Sequence, residues 1–387
     1  MISFDLTDEQ QLLEQTVREW AAREIAPHIH DDDRAHRFDR ERVLGGMASL
    51  GLLGISVPQK YGGAGMDYVA FMLLVEELSR GSSSVRTTVS VQTSLSETSL
   101  LWFGSEEQKK KWLVPLAKGT TFGAWALTEP QAGSDAGNLQ TTARLDGDEW
   151  VLEGQKRFIS NGSLADLIQV YAREPGTNRH EGISLFMVPK DAPGFKVTHV
   201  ETTTKLGLRA SPTADLAFER CRIPKGNLIG KRGDGWNQAM RTLNSGRIGI
   251  AAGAVGVARA ALEAAVKYVK ERKAFGRPIG DFQLVREMIA QSALEIDAAR
   301  LLTLRAAQLR DLGLDNTLEV SMAKLYGAQM AQRVTDWAIQ VHGGYGFSGD
   351  FDVERYYRDA RILGLYEGTN EIQKLIIADR TLGPTTK

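Results

Sequence analysis

The sequence predicts an α+β chain of three successive units, helical, then β, then helical, and three observations carry that reading. Apolar residues recur at helical spacing from Thr7 to about Gly119, short β-rich runs broken by turn residues fill Thr121 to Ile229, and long amphipathic runs resume at Gly235. At 387 residues the chain exceeds what one hydrophobic core ordinarily serves, so the units are set at 1–120, 121–234 and 235–387.

In the first unit, Thr7 opens T-D-E-Q, a capping-box spacing, ahead of Leu12, Leu13, Val17 and Trp20. Further helices are expected around Arg40–Leu50, Tyr68–Arg80, Val89–Phe103 and Glu106–Leu116. In the second, T-T-A-R-L, E-W-V-L-E-G, I-S-L-F-M-V and A-D-L-A-F-E read as strands between Gly, Pro, Asp and Asn turns, and Cys221 falls on a strand. In the third, Met240–Arg272, Gln283–Asp311 and Thr317–Val341 read as long helices, the last stopped by Gly343 and Gly344.

Composition narrows the function. With 42% hydrophobic residues, 25% charged and a formal net charge of -1, the chain is globular and has no basic excess to draw it to nucleic acid. One cysteine precludes an intrachain disulfide and a cysteine metal site, and suits a reducing compartment. The first residues lack a basic region followed by an apolar stretch, and no run of about 18 apolar residues occurs, so a soluble cytoplasmic protein with no membrane contact is expected. H-I-H-D-D-D-R, residues 28–34, collects potential metal ligands, but without a ligand spacing and beside Arg34 and Arg37 it reads as a solvated charge run; no metal is expected. Q-K-K-K, residues 108–111, reads as an exposed helix face, and G-A-V-G-V-A-R-A as close helix packing, since no strand precedes it.

Near the end, R-I-L-G-L-Y-E-G-T-N-E sets Glu367 between an aromatic residue and a Gly-Thr break. Two readings of the residues stay open there: a desolvated carboxylate poised as a general base, or an exposed glutamate beside a helix capped by Thr369 and running Glu371–Thr381.

The order of the units, with T-E-P-Q-A-G-S-D opening the second, E-R-K-A-F-G-R-P-I in the third and Y-E-G-T near the end, resembles the acyl-CoA dehydrogenase family over essentially the whole chain. The resemblance implies a C-terminal four-helix bundle, FAD as cofactor, an acyl-CoA substrate desaturated between its α and β carbons, and Glu367 as the base. That reaction needs a base for a weakly acidic proton, hydrogen bonds to the thioester oxygen and a hydride acceptor. Some family members carry the base before an arginine of the third unit; here that segment reads T-L-N-S-G-R, and Gly246 cannot serve. The resemblance further implies flavin contacts from Trp125, Leu127, Thr128, Ser134, Phe158, Ile159 and Ser160. Phe158 stands where tryptophan is usual, at the loss of an indole N–H. A second set, Arg272, Phe275, Gln283, Gln340, Val341, His342, Gly343 and Gly344, is implied for the pyrophosphate and adenine end of FAD, across a subunit boundary of a homotetramer built as a dimer of dimers, and Thr369 and Glu371 are implied as further FAD contacts. Substrate contacts are implied for Ser134, Asn244, Arg247, Tyr366 and Gly368. Electron-transfer flavoprotein is the implied electron acceptor, because the oxidases of this type are longer.

Arg86 and Ser90 complicate the substrate. They stand four apart among small and apolar residues, hence on one helix face, and resemble the pair with which glutaryl-CoA dehydrogenases hold a distal carboxylate. Against that, Ser79 stands where those enzymes carry a glutamate, and N-E-I-Q follows the base as in short-chain members. Three substrates remain open: a short or branched acyl-CoA, a dicarboxylyl-CoA such as glutaryl-CoA, and an acyl group on a carrier protein. Equally open is a protein partner for Arg86, Glu97 or Glu76.

Overall fold

A computed structural model of the chain describes residues 4–201 and 204–383. Its first unit begins with α1 (Asp8–Glu24), capped as the spacing predicts: the Thr7 hydroxyl accepts from Gln10 N at 3.2 Å, and the Gln10 side chain accepts from Thr7 N at 3.0 Å. Leu13, Val17 and Trp20 are buried, whereas Leu12 lies on the outer face. After α2 (Ile29–Ala35), the helix expected at 40–50 is a π-helical turn, Glu41–Gly45, running into α3 (Gly46–Ser49). The apolar α4 (Tyr68–Gly81) is buried along nearly its whole length. The run expected as one helix over 89–103 is instead the end of α5 (Ser83–Ser90), a π-helical stretch Val91–Glu97 and α6 (Thr98–Phe103). Another wide turn, Lys109–Leu113, joins α7 (Glu106–Gln108) to α8 (Val114–Ala117).

The charge run 28–34 is solvated only in part: His28, His30, Asp31 and Arg34 are exposed, and its buried charges are Asp32 and Asp33. Asp32 and Asp33 are buried: Asp32 pairs with Arg42 and with Arg37 at 3.4 Å, and Asp33 with Arg358 of the third unit at 2.9 Å. The run faces another unit, which alternation of charge along a sequence cannot disclose. Among the described residues, Glu14, Glu76 and Glu77 lie close enough to hold a metal, but Arg18, Arg259 and Arg300 already face them.

The β unit holds β1 (Gly123–Ala126), β2 (Thr142–Asp146), β3 (Glu149–Ser160), β4 (Leu167–Arg173), β5 (Ile183–Pro189), β6 (Phe195–Val200), β7 (Thr213–Pro224) and β8 (Leu228–Ile229). They form one sheet in the order β6-β7-β3-β2-β4-β5-β8, with β1 parallel to β4. Cys221 lies buried on β7 opposite Leu152. The β3–β7 register slips between Lys156 and Ile159, a bulge that leaves Phe158 at φ 58° and turned outward.

The third unit is built on α9 (Gly235–Glu271), which begins five residues before the predicted run. A hairpin, β9 (Lys273–Ala274) with β10 (Arg277–Pro278), leads to α10 (Gln283–Asp311), α11 (Thr317–His342), α12 (Val353–Ala360) and α13 (Asn370–Leu382). Glycines let α9 lie against the first unit: a Cβ at Gly249 would come within 2.8 Å of Ser90 Oγ, and one at Gly253 within 2.7 Å of Arg86 Nε. Part of α9 is apolar and long enough to cross a membrane, but 78% of that window is buried inside the protein.

Candidate active site

Glu367 sits where the chain leaves a short helical turn and before α13 begins, with φ 51°, and Gly368 follows at φ 93°. A left-handed glutamate is costly, and neighbours hold it in place. Arg247 Nε of α9 donates to the Glu367 carbonyl at 3.1 Å, and Gln373 Nε2 of α13 donates to the Gly368 carbonyl at 3.2 Å. Lys324 Nζ of α11 also donates to the Gly368 carbonyl, at 2.7 Å. Thr369 caps α13 by accepting from Ile372 N at 3.3 Å, as the capping reading expects, but Glu367 is not the exposed residue of that reading.

The residue is half-buried, but its Oε2 is wholly enclosed and has no hydrogen-bond partner among the described residues. Burial pushes the carboxyl up to about 7, against the pull of Arg247, Arg86 and Lys324. A Cβ at Gly246 would collide with Oε2, so the position that bears the base in some resembling enzymes is here the space this one occupies. Arg247, buried, also donates to Asn244 Oδ1 at 2.8 Å, and Asn244 to Thr317 Oγ1 at 2.9 Å.

The turn also meets α5. Arg86 is buried and its Nη2 donates to Tyr366 Oη at 2.7 Å, while Nε and Nη1 have no partner. Neither suggested carboxylate pairs with it. Glu76 is engaged by Arg259 and Arg300, and Glu97 is pushed well above its ordinary range by burial, with only Gln92 bonding it. Ser90, one turn on, is buried against Gly249. The structure thus brings together Arg86, Ser90, Asn244, Arg247, Tyr366, Glu367 and Gly368 from three stretches of chain: α5, α9 and the turn before α13.

The candidate flavin contacts fall into two further places. Trp125 ends β1 with its ring 5.0 Å from Tyr171 and its buried Nε1 without a partner. Beyond it, the Leu127 carbonyl accepts from Lys156 Nζ at 3.1 Å and the Thr128 carbonyl from Arg157 N at 2.9 Å. Phe158 is 56% exposed at its bulge, Ile159 is buried, Ser160 pairs with Thr213, and Ser134 is exposed on the loop after β1. On the outer side, Arg272 ends α9 over the Tyr345 ring at 5.7 Å, Phe275 is 94% exposed at φ 51°, and Gln283 opens α10 on the surface. Val341 is buried and His342 stacks on Tyr268 at 4.1 Å, while Gln340, Gly343 and Gly344 are exposed, the glycines with open space where a Cβ would stand. Glu371 is exposed on the first turn of α13. The buried indole of Trp125 against Tyr171, the exposed ring of Phe158 and the open pair Gly343 and Gly344 are compatible with the flavin contacts that the resemblance implies.

Sequence reasoning missed Lys324, Gln373 and the buried ion pair of Lys156 with Glu129 at 2.7 Å. For Lys324 a signal existed: it falls on the stripe Val320, Lys324, Gly327, Ala331 that faces the core.

Three family descriptions match the chain: acyl-CoA dehydrogenase N-terminal domain at residues 7–120, middle domain at 124–221 and C-terminal domain at 233–382. The mitochondrial short-chain specific acyl-CoA dehydrogenase of Rattus norvegicus is 46% identical over 380 residues, covering 98% of this chain and 92% of that protein. The butyryl-CoA dehydrogenase structure from Megasphaera elsdenii is 39% identical with a TM-score of 0.96, over 98% of this chain and 100% of that one. A glutaryl-CoA dehydrogenase bound to glutaryl-CoA is also 39% identical, with a TM-score of 0.95 over 99% and 97%. A chain from work on the electron transferring flavoprotein of Acidaminococcus fermentans is 44% identical, with a TM-score of 0.96 over 98% and 99%. Equal likeness to a butyryl and a glutaryl enzyme leaves substrate choice to the site itself.

Proposed function

The chain belongs to the acyl-CoA dehydrogenase family, an FAD-dependent oxidoreductase acting on acyl-CoA, and within that family we propose that it desaturates a short or branched acyl thioester with Glu367 as the base. One observation carries the assignment: a carboxylate oxygen enclosed without a hydrogen-bond partner, on a carboxyl pushed up to about 7, at the end of a turn fixed by three donors. A carboxyl poised near neutral pH can both lose its proton there and be basic enough to remove an α-proton. Gly246 leaves it room, and the backbone of the same turn offers the Glu367 N–H to the thioester oxygen. Arg247 and Asn244 are the polar groups beside it for the CoA portion. Bound FAD supplies the acceptor for the β-hydride. Trp125, Leu127, Thr128, Ser134, Phe158, Ile159, Ser160, Thr369 and Glu371 hold its ring, and Arg272, Phe275, Gln283 and Gln340–Gly344 hold its far end. Since that outer set faces outward, with Phe275 94% exposed at its hairpin tip, a second copy of the chain completes it, in a tetramer. Electrons leave to electron-transfer flavoprotein, a reading supported by the Acidaminococcus likeness. The lone buried thiol fits a reducing compartment such as the cytoplasm.

A second reading rests on its own observation. Two nitrogens of Arg86 are buried without a partner, a state that a substrate carboxylate would relieve. It favours a dicarboxylyl thioester such as glutaryl-CoA. Anaerobic bleaching of the flavin absorbance, titrated in parallel with butyryl-CoA, isovaleryl-CoA and glutaryl-CoA, tests both readings. Reduction by the monoacyl thioesters supports the first; preference for glutaryl-CoA, lost in Arg86→Met, supports the second. No reduction by any of them overturns both and turns attention to carrier-bound acyl groups.

A further inference from the structure

We propose that Lys324 is a positioning residue for the base, holding the left-handed Glu367–Gly368 turn through the Gly368 carbonyl and keeping a positive charge behind the carboxylate. The inference rests on the reading of Glu367 as the base.

Lys324 is 0% exposed, in the middle of α11 on the stripe that packs against α9. A lysine so placed is costly unless an anion and acceptors answer it. Its one hydrogen bond is to the carbonyl directly after the base, and its charge is answered by Glu367 and, on the surface side, by Glu371. The other charged groups facing Glu367 are Arg247 from α9 and Arg86 from α5, with the Tyr366 phenol beside them. Arg247 is committed to the Glu367 carbonyl and Asn244, and Arg86 to Tyr366. Lys324 therefore joins the backbone geometry of the turn to its electrostatics from a third helix. Burial lowers its amine to about 8 against the pull of Glu367 and Glu371, as it raises the Glu367 carboxyl against the pull of Lys324.

The test compares wild type, Lys324→Met, Lys324→Gln, Lys324→Arg and Glu367→Gln. One readout is the pH dependence of anaerobic flavin bleaching by saturating butyryl-CoA. The other is the infrared band of the protonated carboxyl, assigned by subtracting Glu367→Gln and titrated without substrate. Lys324→Met and Lys324→Gln are expected to move the carboxyl midpoint up by about one pH unit, because one opposite charge is gone. The glutamine, which keeps a donor, retains more of the high-pH rate, and the arginine restores the midpoint. Unchanged midpoints in both neutral variants overturn the proposal, as does failure of both to fold, which assigns Lys324 to the fold alone. If Glu367→Gln bleaches as fast as wild type, the base reading itself fails, whatever Lys324 does to the infrared band.

Discussion

The base turn and the outer cofactor face are built on opposite principles. Around Glu367 the protein satisfies its own backbone: Arg247, Lys324 and Gln373, from three helices, donate to two successive carbonyls and leave one carboxylate oxygen free. Around Phe275 and Gly343 the chain offers exposed rings and open glycines, with Phe275 94% and Phe347 91% exposed. On the proposed function, reactivity would be prepared inside one chain, while the hold on the far end of the cofactor would be left for another surface to complete. If so, damage to the first region should change rate with flavin retained, and damage to the second should release flavin with the rate per flavin retained.

The largest effect expected is from Glu367→Gln. It removes the base and keeps the shape, so bleaching by an acyl-CoA should slow by about 10²–10⁴-fold at unchanged flavin content. Gly246→Ala should come next. Its Cβ enters the space of Glu367 Oε2 and approaches Leu95 Cδ2 at 2.8 Å, and displacing a catalytic atom by about 1 Å costs on the order of 10²-fold. Stopped-flow reduction measures both, and a Gly246→Ala enzyme of wild-type rate would show that the base is not confined as described.

How much of this was legible follows from which interactions are local. The Thr7 and Thr369 caps, the glycine stop of α11 and the exclusion of Gly246 as a base lie within a few residues of sequence and were readable. So was Glu367 as a candidate, though not its left-handed backbone, which depends on donors 120 and 43 residues away at Arg247 and Lys324. The burial of Asp33 was not legible because its partner Arg358 lies 325 residues away, whereas Asp32 is held by the nearby Arg37 and Arg42. The bulge that turns Phe158 outward arises from pairing with β7 and leaves no mark in F-I-S itself. Lys324 alone left a usable sign, a charged residue on an apolar helix stripe.

A smaller effect is expected on the outer face. Phe275→Ser removes an exposed ring from a hairpin tip without touching the base turn. Its loss should weaken FAD retention about tenfold, the scale of one good contact residue, and shift the assembly toward smaller species on dilution. Rate per bound flavin should stay within about twofold, by the distance between independent sites. A fall in that rate with full flavin would break the contrast, since the outer face would then be acting on the chemistry.

The pH dependence separates the two regions most finely. Glu367 must lose its proton to act, so kcat/KM should rise with pH through about 7 and fall about tenfold per unit well below it. His342, in the outer set, is shifted down by burial, so flavin retention should change less with pH than the rate does. Stability should run the other way and by less. The folded carboxyl titrates above its ordinary value of 4.5, so it holds its proton more tightly than in the unfolded chain. Its contribution is complete below 4.5 and is lost as pH rises through about 7. Glu367→Gln should flatten that component of the melting temperature between those limits. A matching slope left in Glu367→Gln would assign it to another buried carboxyl, first Asp359, which burial raises to about 6 where α12 meets the backbone N–H of Leu208.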